Sequence, residues 1–248
     1  MIRDALVLTH RGLIHWRRNP MVLVSGLTYP IVMVGLFGLI LGSAMVVPGG
    51  GEYAEFLMPG MFAQAMANGL LTTSVIVATD ARRGVTDRVR TSPVSPASVV
   101  LGRSVTDLVN SVFELIVLVA CGLAIGWTAH GSLPAALTAI GLLLLLRWAM
   151  VWLGIYLGLS LTPEAAGMGW MVLLPLTMLA NTFVAPEQLP AWLGVLAEWN
   201  PLSATVSACR ELFGNPGADG KVLPAVLWPL LIIGVFAPLS VRRFTRLS

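Results

Sequence analysis

Charged side chains are scarce in this chain. Asp, Glu, Lys and Arg make up 11% of its 248 residues against 56% hydrophobic, and the mean hydropathy is +0.84. A soluble domain of this length needs a charged surface that such a composition does not supply, so the chain reads as an integral membrane protein. Cysteine is nearly absent: Cys121 and Cys209 have no C-x-x-C spacing and imply neither a disulfide framework nor a metal site. His10, His15 and His130 are scattered and form no ligand cluster. No H-E-x-x-H or G-x-S-x-G occurs. The Gly220-Lys221 pair lacks both the upstream glycine and the following Ser/Thr of a phosphate-binding loop. No basic patch accompanies a nucleic-acid reading motif, which excludes nucleic acid as a partner. These absences also argue against a membrane-embedded enzyme, and they place any ATP hydrolysis on another polypeptide.

What the sequence does have is long apolar runs. Six are expected to span a bilayer: Met21–Val47, Leu57–Thr79, about Ser104–Trp127, about Pro134–Leu161, about Ala165–Ala185 and Val222–Val241. Residues 1–20 are too polar to span. Ile2, Leu6, Leu13 and Trp16 fall on one helical face with Arg3, Arg11, Arg17 and Arg18 beside them, which suits a helix lying along a membrane surface. A cleaved signal peptide fits this stretch poorly, because the apolar run that follows is longer than a normal signal core.

Positive charge is distributed unevenly. Four arginines lie before Pro20, five in Asp80–Arg103 and three in the tail (Arg242, Arg243 and Arg246), so twelve of the fifteen Lys and Arg fall on one side of a six-span chain. The positive-inside rule then puts both termini and the Asp80–Arg103 connector in the cytoplasm of a multi-pass cell-membrane protein. Residues 186–221 lie opposite. They are too polar for a full span and too apolar for an ordinary loop. They break at Asn200-Pro201, and Trp192 and Trp199 suit an interface. Two short helices dipping into the outer leaflet are expected there, with a surface-resting amphipathic loop as the alternative.

The connector 80–103 is the most informative stretch. DARRGVTDRVRTSPVSPASVVLGR is too polar for lipid and contains Arg82, Arg83, Arg88, Arg90 and Arg103. Asp80–Arg90 could form a short surface helix that Pro93 and Pro96 stop. The same charges would also serve a loop that only orients the protein.

Its D-R-x-R-x-S-P-x-S-P wording resembles the cytoplasmic coupling loop of ABC-2-type transporter permeases, and within them the daunorubicin-resistance type of membrane subunit. YAEFLMPGMFAQ (Tyr53–Gln64), TFVAPEQLPAW (Thr182–Trp192) and NPLSATVSACR (Asn200–Arg210) fit the same family in order and spacing. The resemblance implies an all-α membrane domain over residues 1–248. It would have six transmembrane helices, an N-terminal interfacial helix, a coupling loop at 80–103 and a re-entrant hairpin at 186–221 between helices five and six. It also implies a second permease subunit, identical or paralogous, and a cytoplasmic ABC ATPase carrying ATP and Mg, with no cofactor on this chain. Export of a small amphipathic drug or antibiotic is the expected function; export of a lipid or glycolipid is the alternative. Docking of the ATPase is assigned to Arg82, Arg83, Gly84, Asp87 and Arg88 on a segment bounded by Pro93 and Pro96. A non-transporting membrane scaffold would not need that proline-punctuated segment.

Two charges fall inside spans. At 1.5 Å per residue, Glu114 lies about 15 Å along span three and Arg147 about 20 Å along span four, which puts both near the membrane centre. Such charges face protein or water and pair with one another, so a Glu114–Arg147 bridge that fixes helix packing is expected. A role in substrate passage and separate partners are the alternatives. The G-x-x-x-G pairs Gly38/Gly42, Gly122/Gly126 and Gly154/Gly158 are no more frequent than 25 glycines produce by chance and read as ordinary packing sites.

Overall fold

A computed structural model of the chain describes residues 28, 31–40, 50, 52–84, 96–183, 189–216, 220 and 222–246. Among the described residues every regular element is helical. A π-helical turn at Gly35–Ile40 comes first. The α-helices are α1 (Tyr53–Ala67), α2 (Gly69–Arg82), α3 (Pro96–Ala124), α4 (Leu133–Gly158), α5 (Pro163–Met168), α6 (Trp170–Met178), α7 (Ala191–Glu198), α8 (Pro201–Phe213) and α9 (Val222–Arg246).

Local sequence explains where several helices start. Ser132, Thr162 and Asn200 each place a side-chain oxygen on a backbone amide of the first turn, at Ala135, Ala165 and Leu202, and each is followed within two residues by proline. The cap satisfies an amide with no helical partner, and proline at the first turn forfeits an N–H that would have lacked one anyway. Pro96 acts the same way. It opens α3, which therefore begins eight residues before the expected start near Ser104. Residues 85–95, with Asp87, Arg88, Arg90 and Pro93, lie outside the described residues, as do the expected interfacial helix at 1–20 and most of the first span.

Four described stretches are long and apolar enough to cross a membrane: Tyr53–Arg82, Val100–Ala124, Leu133–Gly158 and Val222–Arg246. The first is the most enclosed. All of α1 except Glu55 is buried, whereas Val222–Arg246 buries only Ala225, Pro229, Ser240 and Phe244. The expected fifth span is two short helices, neither long enough alone. The helix is interrupted at Gly169, where a Cβ would stand 2.9 Å from Leu71 Cδ2, and the chain leaves helix after Met178.

Helix α4 is the hub, packing on α1, α2, α3, α8 and α9. Lipid is as apolar as leucine, so burying a leucine between spans gains little transfer energy, and close approach must supply the attraction. Glycine provides it on α4. A Cβ at Gly154 would stand 2.7 Å from the Leu70 carbonyl oxygen, and one at Gly158 would stand 2.6 Å from that of Ser74. The Gly154/Gly158 pair is thus the seam between α4 and α2. At the end remote from the connector, Phe62, Trp127 and Phe213 meet edge to face, with centroids 5.2 to 6.2 Å apart, joining α1 and α8 to the α3–α4 turn. Helix α8 lies among α1, α4 and α9, and most of its residues are buried, while Trp192 on α7 and Trp199 at its end stay exposed.

Candidate coupling site and buried charges

The described parts of the connector are held by ion pairs at both ends. Helix α2 runs through Asp80 to Arg82 and closes at Arg83 and Gly84, whose φ of +65° is the left-handed conformation that glycine adopts without strain at a helix end. Asp80 Oδ2 accepts from Arg103 Nη1 at 2.7 Å, which joins α2 to α3 across the connector. Arg82 donates to the Glu164 carboxylate in the first turn of α5. Glu164's own backbone amide, then Arg82 and the Thr162 hydroxyl, hold its carboxyl below the ordinary value. A lowered carboxyl pKa means that the pair stays charged above the ordinary carboxylate range and is lost only as pH falls through the lowered value. Arg82 is therefore engaged within the chain, and its neighbour Arg83 is exposed.

Inside the bundle, Arg147 on α4 is 4% exposed and meets two carboxylates of α3. Its Nε and Nη2 donate to Asp107 at 2.7 and 3.2 Å in a forked contact, and Nη1 donates to Glu114 Oε2 and to the Ala65 carbonyl, both at 3.3 Å. The guanidinium lies against Gly69 at the α1–α2 junction, where a Cβ would stand 2.7 Å from Arg147 Cζ. The structure thus brings together the two charges singled out in the sequence and adds Asp107 and Gly69, which sequence reasoning missed. Asp107 and Glu114 are seven residues apart, two helical turns on one face. That spacing was the available signal. It was obscured by placing the start of α3 at Ser104, which would leave Asp107 in the first turn near water.

A second cationic side chain is buried at the other end of the bundle. Arg210 on α8 is 1% exposed. Nε donates to the Phe56 carbonyl at 2.9 Å, and Nη2 donates to the carbonyls of Asn181 at 2.6 Å and Thr182 at 3.3 Å. The guanidinium carbon lies 3.6 Å from the Phe56 ring centroid. Carbonyls of α1 and of the unwound end of the fifth segment, rather than a carboxylate, satisfy this cation. Near the same end of the bundle, Glu55 Oε1 meets His130 Nε2 at 2.7 Å and accepts from the Thr128 hydroxyl at 3.0 Å. No group of three or more His, Cys, Asp or Glu that could hold a metal ion occurs among the described residues.

Comparison with known proteins decides what this arrangement belongs to. Residues 3–213 match the family model for the ABC-2 type transporter. The chain belongs to the ABC-2 type transporter family. This permease is 29% identical to the daunorubicin resistance ABC transporter permease protein DrrB1 of Streptomyces coeruleorubidus over 241 residues, 96% of this chain and 85% of that one. It is 27% identical to the probable multidrug ABC transporter permease YbhR of Escherichia coli K12 over 192 residues, covering 73% of this chain and half of YbhR. Against the putative transport permease ycf38 of Cyanophora paradoxa, identity is 26% over 219 residues, 86% of this chain and 75% of the relative. These relatives are named as transport permeases and not as enzymes, so the chain is a membrane permease of a family that works with an ABC ATPase.

Proposed function

We propose that this chain is the membrane half-subunit of an ATP-driven exporter that moves a small amphipathic drug or antibiotic out of the cytoplasm. The observation that carries the reading is the likeness to a daunorubicin resistance permease along 96% of the chain. The chain then crosses the cell membrane six times with both termini inside, a reading that the arginine asymmetry supports. Helices α7 and α8 form a re-entrant pair at the outer face, and a second permease subunit completes the path. The ATPase, with its ATP and Mg, docks on the 80–103 connector. Arg83, Asp87 and Arg88 carry the docking charges, Gly84 sets the direction in which the chain leaves α2, and Pro93 and Pro96 limit the segment. In this reading Arg147, Asp107 and Glu114 fix the packing of α3 and α4.

The test is transport in inverted membrane vesicles. Vesicles with the chain and its co-expressed ATPase are expected to accumulate daunorubicin, read by its fluorescence, only when ATP is added. The purified chain alone is expected to hydrolyse no ATP above a heat-inactivated control, and robust hydrolysis by it overturns the subunit reading. ATP-driven movement of a fluorescent phospholipid without movement of daunorubicin would replace the drug by a lipid.

A further inference from the structure

We propose that the α1–α2 and α5–α6 segments form a clamped pair that carries movement of the connector to the outer helix α8. Arg82–Glu164 is the inner clamp and Arg210 the outer one. This rests on reading the chain as an exporter subunit.

At the inner end, Arg82 is the last residue of α2 and Glu164 lies in the first turn of α5, so their contact ties the start of the fifth segment to the connector. Asp80–Arg103 fixes the other end of the connector to the same helix, so α2 and both ends of the connector move together. The load between the two segments passes through packing. Helix α5 packs on α2, Ala166 is buried, and Gly169 lies close to the Leu71 side chain. The ion pair has a different task. Its side chains are 67% and 65% exposed, and pairs so exposed contribute little to folding. It sets register, and removing it leaves the fold intact.

From Glu164 to Asn181 the fifth segment covers seventeen residues, roughly 26 Å at helical rise, close to the hydrocarbon thickness of a bilayer. At its far end it is joined to the outer pair by a dense set of hydrogen bonds. Arg210 holds the carbonyls of Asn181 and Thr182. Asn181 donates through its amide side chain to Ser207 Oγ at 2.7 Å and through its backbone to Ser203 Oγ at 3.3 Å. Asn200 donates to the Leu176 carbonyl at 2.7 Å. Because Arg210 also holds the Phe56 carbonyl of α1, it grips both members of the pair at once. The Arg210 bonds are buried and have no water to exchange with, so displacing either segment displaces α8.

The test uses the full chain with its ATPase in liposomes, in a Cys121→Ala, Cys209→Ala background with a reporter cysteine at Trp199. The labelling rate by a membrane-impermeant maleimide is read with and without ATP plus vanadate. The reporter chain is expected to show an ATP-dependent change in rate. Glu164→Arg is expected to lose that change while ATP hydrolysis and co-purification of the ATPase persist. Adding Arg82→Glu, which exchanges the two charges, is expected to restore it. Arg210→Lys, with the inner clamp intact, is expected to lose it too, because lysine lacks the planar fork that spans two carbonyls. An undiminished response in Glu164→Arg, failure of the exchanged pair to restore it while the ATPase still co-purifies, or no ATP-dependent change in the reporter chain overturns the clamp alone. If no ATPase co-purifies with the unaltered chain, the exporter reading falls first.

Discussion

Arg147 shows how a single buried charge organises its surroundings. A guanidinium at the level of the bilayer core needs compensation, and here it draws on two carboxylates of α3 and a carbonyl of α1. The contacts are unequal: Asp107 takes two donors and Glu114 one. Breaking a buried pair costs about 3–5 kcal/mol in soluble proteins because the surviving charge is left unpaired. Arg147→Gln is therefore expected to lose the most folded protein, since it strands two carboxylates. Asp107→Asn should lose more than Glu114→Gln. Adding Asp107→Asn and Glu114→Gln to Arg147→Gln should recover part of the yield, measured as the monodisperse fraction in detergent. Strictly additive losses would show that the three side chains do not act together. Counting residues along two spans was enough to bring Glu114 and Arg147 to one level. It could not reveal Asp107, because the true start of α3 depends on Pro96, nor Gly69, because its need for a bare Cα arises only when Arg147 is placed beside it.

Among the elements, the contact between α2 and α4 depends on what glycine leaves out. The Gly154 and Gly158 positions face backbone carbonyls, which cannot turn aside as the end of a long side chain can. Gly158→Val is expected to cost about 1–3 kcal/mol by forcing the helices apart. Gly141, on the same helix, has no atom within 4 Å of where a Cβ would stand. There Gly→Ala is expected to be neutral or to stabilise by about 0.5–1 kcal/mol through backbone entropy. Thermal unfolding in one detergent, with Gly141→Ala as the control, separates the two outcomes. The glycine spacing alone was uninformative, because such pairs arise by chance in a glycine-rich chain. The broken fifth segment was equally hidden. Its composition reads as one apolar run, and the early end of helix follows from Asn181 and Thr182 finding partners on α8.

Taken as a whole molecule, the proposed topology puts the connector on the cytoplasmic side and α7–α8 outside. In a chain with Cys121 and Cys209 replaced, new cysteines at Gly50 and Asp219 are expected to react with an impermeant reagent added to intact cells, and one at Thr91 is not. Reaction at Thr91 would invert the topology.

The apolar runs by themselves determined that this is a helical membrane protein, because a bilayer leaves long hydrophobic segments few alternatives. Motif order along nearly the whole chain carried the family, and the prolines and small polar caps at Ser132, Thr162 and Asn200 carried local helix starts. Charge asymmetry, a property of the linear chain, carried the expected orientation. Only the tertiary structure decided which charges are loop charges and which are buried. A lone arginine such as Arg210 looks the same in sequence whether it faces water or carbonyls 28 residues or more away along the chain, since its partners Phe56, Asn181 and Thr182 are brought to it by packing that no local pattern encodes.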